Sequence, residues 1–114
     1  MPTRQNVLIV RDLNTGGEWY ENINIEFIPD EVIVRSIGYH NDKTETELGY
    51  ISTNLVKDNR IGFYGDGLVS NSQQTFTLDK PVNGRYLFQL ILADGTIDAA
   101  SAGVLMISLE FIKY

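Results

Sequence analysis

Lys80–Tyr114 reads KPVNGRYLFQLILADGTIDAASAGVLMISLEFIKY, and the fold of the chain is decided there. Two runs, Arg85–Asp94 and Val104–Tyr114, are dense in Leu, Ile, Val, Phe and Tyr. Pro81 and Asn83-Gly84 supply turn chemistry before the first run, and the small-residue loop Gly95–Gly103 separates it from the second. Both runs fall short of the roughly 20 apolar residues of a membrane-spanning helix. Bounded by turn residues and rich in β-formers, they read as strands. We expect two long strands of one sheet.

Side chains alternate across a strand. In Arg85–Asp94 this puts Tyr86, Phe88, Leu90 and Leu92 on one face and Arg85, Leu87, Gln89 and Ile91 on the other. In Val104–Tyr114, Leu105, Ile107, Leu109 and Phe111 make the core face, with Met106 and Ile112 opposite beside Ser108 and Glu110. An antiparallel sheet in a sandwich needs one apolar face. A second, partly apolar face predicts a cover, and a neighbouring copy is the simplest one. The expected oligomer interface is therefore Leu87, Ile91, Met106 and Ile112, in a symmetric homo-oligomer.

Upstream, short strand patterns recur between turns. Val7-Leu8-Ile9-Val10 ends at Asn14-Thr15-Gly16-Gly17. From Glu18, Trp19, Ile23, Ile25 and Phe27 alternate with Tyr20, Asn22, Asn24 and Glu26 as far as Pro29, which lacks a ladder N–H. Val32–Tyr39 is β-branched, Asn41–Glu47 is a polar loop, Leu48–Val56 resumes as a strand, and Lys57–Arg60 turns it into Ile61–Tyr64. There Gly62 marks a bulge or a close backbone approach. After the loop Asp66–Ser72, Gln73–Asp79 alternates once more. About eight strands at short spacing with no helix pattern predict an all-β fold, a single antiparallel domain over residues 1–114 that reads as a β-sandwich or a barrel, the β-sandwich being the expected form.

Composition narrows function mainly by exclusion. With 114 residues the chain has enough length for one packed core. It has no cysteine, so disulfides, thiolate metal sites and a cysteine nucleophile are excluded. Its formal charge is −6 and its nine basic residues are scattered, a poor match to nucleic acid. No segment reads as a signal peptide or a membrane span, so synthesis in the cytoplasm and no membrane partner are expected.

The sole histidine, His40, has Asp42, Glu45 and Glu47 as candidate partners, but a surface role is the expected one. One histidine cannot build a cupin-type metal cluster, and no Gly-x-Ser-x-Gly elbow accompanies it. Glu18/Glu21/Glu26 and Asp94/Asp98 are carboxylate pairs in sequence, read as solvated edges. Asp94-Gly95-Thr96-Ile97-Asp98 departs from a calcium loop and reads as a turn. No phosphate-binding glycine motif occurs. The chain is accordingly read as a non-enzyme, with no metal and no cofactor. The alternative is a carbohydrate-binding sandwich whose amphipathic Tyr20, Tyr39 and Tyr64 face a ligand or host surface.

Four stretches carry a family resemblance: Phe27–Arg35; Thr53–Val56 before Ile61-Gly62; Lys80–Phe88; and Gly103–Ile112. Together they resemble small single jelly-roll structural proteins of viruses, the minor capsid, vertex and surface-decoration components of icosahedral DNA viruses and phages. The resemblance implies an eight-stranded jelly roll without catalysis, often a trimer, located in the virion and contacting other virion proteins or host glycan through its loops. The chain lacks the basic N-terminal arm that would suit an inner, genome-contacting position.

Overall fold

The computed structural model describes residues 1–13, 16–40, 49–64, 73–98 and 103–114. They form eight strands: β1 (Thr3–Asp12), β2 (Glu18–Asn24), β3 (Glu31–His40), β4 (Gly49–Thr53), β5 (Arg60–Tyr64), β6 (Gln74–Thr77), β7 (Asn83–Leu92) and β8 (Val104–Lys113). One sheet has the order β1-β8-β3-β6 and the other β2-β7-β4-β5. All pairings are antiparallel. Only β4 and β5 are consecutive neighbours in one sheet, and every other connection crosses between sheets. The fold is an all-β sandwich with jelly-roll topology.

The expectation that Arg85–Asp94 and Val104–Tyr114 share a sheet is corrected: β7 and β8 lie in opposite sheets. The turn at Asp94-Gly95 does not open a hairpin to β8. It folds Thr96–Asp98 back onto β7, where Leu92 N donates to Thr96 O (2.8 Å) and Asp98 N donates to Leu90 O (2.8 Å). The chain then enters the other sheet, where β8 pairs with β1 and β3 on its two sides. Placed this way, Phe88 and Leu90 of one sheet and Leu105, Ile107, Leu109 and Phe111 of the other belong to one buried core. Two apolar faces that would each need a cover cover one another.

Local sequence explains the other departures from simple strand rhythm. Arg35 is an extra residue in β3, where the register against β8 shifts between Val34 and Ser36. This bulge changes the parity of the strand, so Val32 and Val34 before it and Ile37 after it are all buried. Expected strand Leu48–Val56 stops at Thr53, because Thr53 N bonds Asn59 O (3.0 Å) and Asn59 N bonds Val56 O (3.2 Å). The intervening Leu55 and Val56 plug the core from a turn. Gly62 is a close approach: a Cβ there would collide with Cδ1 of Ile37 in the facing sheet.

The two open sides of the sandwich differ. Between β1 and β2, Gln5 donates to Asn24 O (3.2 Å) and accepts from Glu26 N (3.2 Å), while the Arg11 guanidinium lies 5.3 Å from the Trp19 ring centre. These contacts tie the sheets together. Between β5 and β6 a cavity of about 450 Å³ stands open.

Candidate functional site

The outer face of the β1-β8-β3-β6 sheet is divided. At one end the register places Leu8 beside Ser108, Val10 beside Met106, and Asp12 beside Val104. Across β8, Ser36, Gly38 and His40 continue the same three rows. Leu8, Val10, Met106 and Val104 are 60%, 56%, 43% and 40% exposed, so four neighbouring apolar side chains face outward together. A Cβ on Gly38 would meet nothing within 4 Å, which leaves the row low and open. This is an apolar patch on a strongly acidic chain.

The opposite end of that face is ionic. Glu110 Oε1 accepts from Arg4 Nη1 (2.7 Å) and Arg35 Nη2 (2.5 Å), and Arg35 Nη1 donates to Gln73 Oε1 (2.8 Å). The bulge that carries Arg35 thus brings a second cation to one carboxylate. The Arg35 hydrogen bond, chiefly, holds the Glu110 carboxyl below its ordinary range. Because the folded value is the lower one, this group stabilises the fold above the ordinary glutamate pKa of about 4.3, and the contribution is lost as pH falls through the folded value. Glu110→Gln is expected to cost under about 1 kcal/mol at pH 7, since both arginines are partly exposed. Urea titrations of the two proteins at pH 7 and at successively lower pH check it: the difference should shrink as the pH falls.

The interface residues expected from alternation are not brought together. Leu87 and Ile91 belong to one sheet, Met106 and Ile112 to the other. Ile91 is 8% exposed, bridged by Ile97 on one side and paired with Tyr50 on the other. Ile112 is 1% exposed, flanked by Arg4 and Glu31, and the chain end beyond it is fastened by Tyr114 N to Asp30 Oδ2 (2.8 Å). Neither is available to a second copy. Leu87 is half-buried and Met106 is exposed. Leu8 and Val10 escaped the sequence reading, although four consecutive apolar residues at Val7–Val10 cannot all face one core.

The tyrosines expected at a ligand surface are also dispersed. Tyr64 is fully buried and donates to Asp98 Oδ2 (2.9 Å). Tyr39 is half-buried and packs edge-on against Tyr64, with ring centres 5.3 Å apart. Tyr20 is 55% exposed, but the Arg85 guanidinium lies 4.5 Å from its ring centre. A ligand surface made of all three is therefore corrected: no common face exists, because Tyr64 belongs to the core.

Other candidates from the sequence separate in space. His40 is exposed at the end of β3, while Asp42, Glu45 and Glu47 lie outside the described residues. Asp94 Oδ1 accepts from both Thr96 N (2.9 Å) and Thr96 Oγ1 (2.6 Å), closing the expected turn. The Thr96 hydroxyl holds the Asp94 carboxyl below its usual range. Asp98 turns inward to Tyr64 instead. Among the described residues no three His, Asp or Glu side chains gather as a metal site.

The β5/β6 cavity is lined by Tyr50, Arg60, Gly62 and Phe63 from one sheet, Asp58 from the turn between β4 and β5, and Gln74, Thr75 and Phe76 from the other sheet. Phe63 is 59% exposed, and the Arg60 guanidinium lies 4.7 Å from the Tyr50 ring centre. Its size and its mixture of aromatic and hydrogen-bonding groups are those of a binding cleft.

A solved structure shares this architecture. The Drosophila NLP core, a nucleoplasmin-type core described for its pentamer formation and histone binding, aligns over 97% of this chain and 98% of its own at TM-score 0.51 and 13% identity. The fold resembles the nucleoplasmin-type core. A Bacillus endospore appendage protein, from a family of disulfide-linked pili, aligns over 99% of this chain and 89% of its own at TM-score 0.37 and 11% identity. The NLP core is not a virion protein, and at 13% identity its likeness is one of fold alone. No protein-family model matches the chain, and no curated protein matches its sequence.

Proposed function

We propose that this chain is a non-catalytic building block that assembles as a symmetric homo-oligomer, and that its setting is the virion implied by its resemblance to small jelly-roll capsid components. The observation that carries assembly is the patch of Leu8, Val10, Val104 and Met106, four exposed apolar side chains on adjacent strands of one sheet face. A second copy is the occupant that suits it. Its four side chains carry no charge and the nearest acid, Asp12, stands at one end of the rows, so two copies can meet over the apolar side chains without like charges opposed, whereas elsewhere a chain of net charge −6 repels itself. Small residues at Ser36, Gly38 and Ser108 leave the neighbouring rows shallow enough for a partner's side chains.

Light scattering tests the reading. The expected mass is a multiple of 12.8 kDa, three copies on the jelly-roll resemblance or five by analogy with the NLP core. Val10→Asp with Met106→Asp should return the protein to a single chain with unchanged circular dichroism. A wild-type monomer at high concentration sinks assembly, and unaltered mass in the double variant sinks this face. The virion setting is tested separately by whether the protein co-purifies with intact particles.

A further inference from the structure

The geometry points to the β5/β6 cleft as a docking groove in which an extended peptide adds to the edge of β6 that pairs with no strand among the described residues. This is independent of the assembly proposal, which concerns the outer face of β1 and β8. Three consecutive residues of β6, Gln74, Thr75 and Phe76, line the cleft. Alternate side chains of a strand point to opposite faces, so three in succession border one space only where that space meets the strand along its edge. The cleft therefore confronts backbone as well as side chains.

Which backbone groups are offered follows from the register. Antiparallel pairs alternate between bonded and non-bonded. Leu78 N donates to Asp30 O at 2.7 Å, one step beyond the Glu31–Thr77 pair. Val32–Phe76 and Val34–Gln74 are then the bonded pairs. Thr75 and Thr77 consequently turn their N–H and C=O groups away from β3, toward that edge. Two donors and two acceptors at strand spacing match an extended main chain.

The edge strand itself carries none of the usual deterrents; the charges near it, Lys57 and Asp58, belong to the turn across the cleft. Exposed edges are commonly guarded by charge or proline. β1 carries Arg4, Arg11 and Asp12, and β2 carries Glu18 and Glu21, whereas Gln74-Thr75-Phe76-Thr77 has neither charge nor proline. Side chains across the cleft specify the occupant further. Phe63 and Phe76 offer an apolar slot, and Arg60 stands beside it over Tyr50. The fitting segment is extended and β-prone, with an aromatic or aliphatic residue for the slot and an acidic residue two positions away, on the same face, for Arg60.

Selection from a displayed random-nonapeptide library against the intact chain supplies the probe. Enriched peptides should carry that apolar–acidic spacing and shift the Thr75 and Thr77 amide resonances. Thr75→Pro removes one edge N–H without touching the ladder to β3, and should weaken binding about tenfold, the worth of one main-chain hydrogen bond. Thr75→Val should bind as wild type. Phe63→Ala, a surface change, provides a second loss-of-binding variant should the proline disturb folding. Absence of enrichment, wild-type affinity in both Thr75→Pro and Phe63→Ala, or shifts mapping outside the cleft would each overturn the proposal. So would cleft shifts produced by cellohexaose or chitohexaose but by no peptide, which would make the groove a sugar site.

Discussion

Phe88→Ala is expected to destabilise the chain by about 3–5 kcal/mol, the cost of deleting a fully buried aromatic ring and leaving a cavity. Phe88 is 0% exposed and sits mid-strand in β7, between Trp19 of β2 and Thr53 of β4. Its ring stacks on Trp19 with centres 5.6 Å apart and planes 14° from parallel. Within the total loss, that aromatic pair accounts for about 0.5–1.5 kcal/mol. A typical domain has about 5–15 kcal/mol of stability, so a loss of this size removes most of it at the low end of that range. Urea unfolding with an unchanged slope measures the cost. Trp19 is the only tryptophan, so its emission also reports the lost stack in the native baseline. Phe63→Ala, exposed on the next-to-last residue of β5, is the contrast and should cost under about 0.5 kcal/mol. Equal costs for the two phenylalanines would contradict the inward and outward assignment of their faces.

That assignment shows what the sequence contains. The eight-strand rhythm and core faces such as Leu105, Ile107, Leu109 and Phe111 follow from period-two alternation, a local property. Features that depend on which strands become neighbours do not. Nothing local in Arg85–Tyr114 states that Thr96–Asp98 will close on β7 and send β8 to the other sheet. For the same reason alternation marked Ile91 and Ile112 as outward, correctly in direction, yet both are buried, Ile91 bridged by Ile97 and Ile112 set between Arg4 and Glu31 of the flanking strands. The Arg35 bulge is equally silent in sequence, since only the Val34-to-Ser36 register against β8 reveals it. The β5/β6 cleft is farther still from a local signal, because its two walls come from edge strands of different sheets. Leu8 and Val10 are the exception: an unbroken apolar run in a strand must expose half of itself unless both faces are covered, and this one lies at a sheet edge.

The crossover between the sheets yields the second large effect, at Tyr64. Its hydroxyl is buried and donates to Asp98 Oδ2, on a carboxylate that is itself only 7% exposed. Tyr64→Phe removes the donor and leaves that carboxylate a bond short in a poorly solvated site. Hydrogen bonds to charged groups contribute about 1.5–3 kcal/mol, and a loss of about 2 kcal/mol is expected. Asp98 is also where the returning segment is pinned: its N–H bonds Leu90 O, and its carbonyl lies so close to Gly17 that a Cβ there would collide with it. Weakening the side-chain tether should therefore raise amide exchange at Asp98 and Leu92, which close the segment onto β7, before it affects the middle of β8. A double-mutant cycle isolates the bond. In an Asp98→Ala background Tyr64→Phe should cost under about 0.5 kcal/mol, because no carboxylate is left to strand. If the tyrosine change costs the same with and without Asp98, then Tyr64 acts by packing alone, and what holds the β7-to-β8 crossover is the main-chain bond to Leu90.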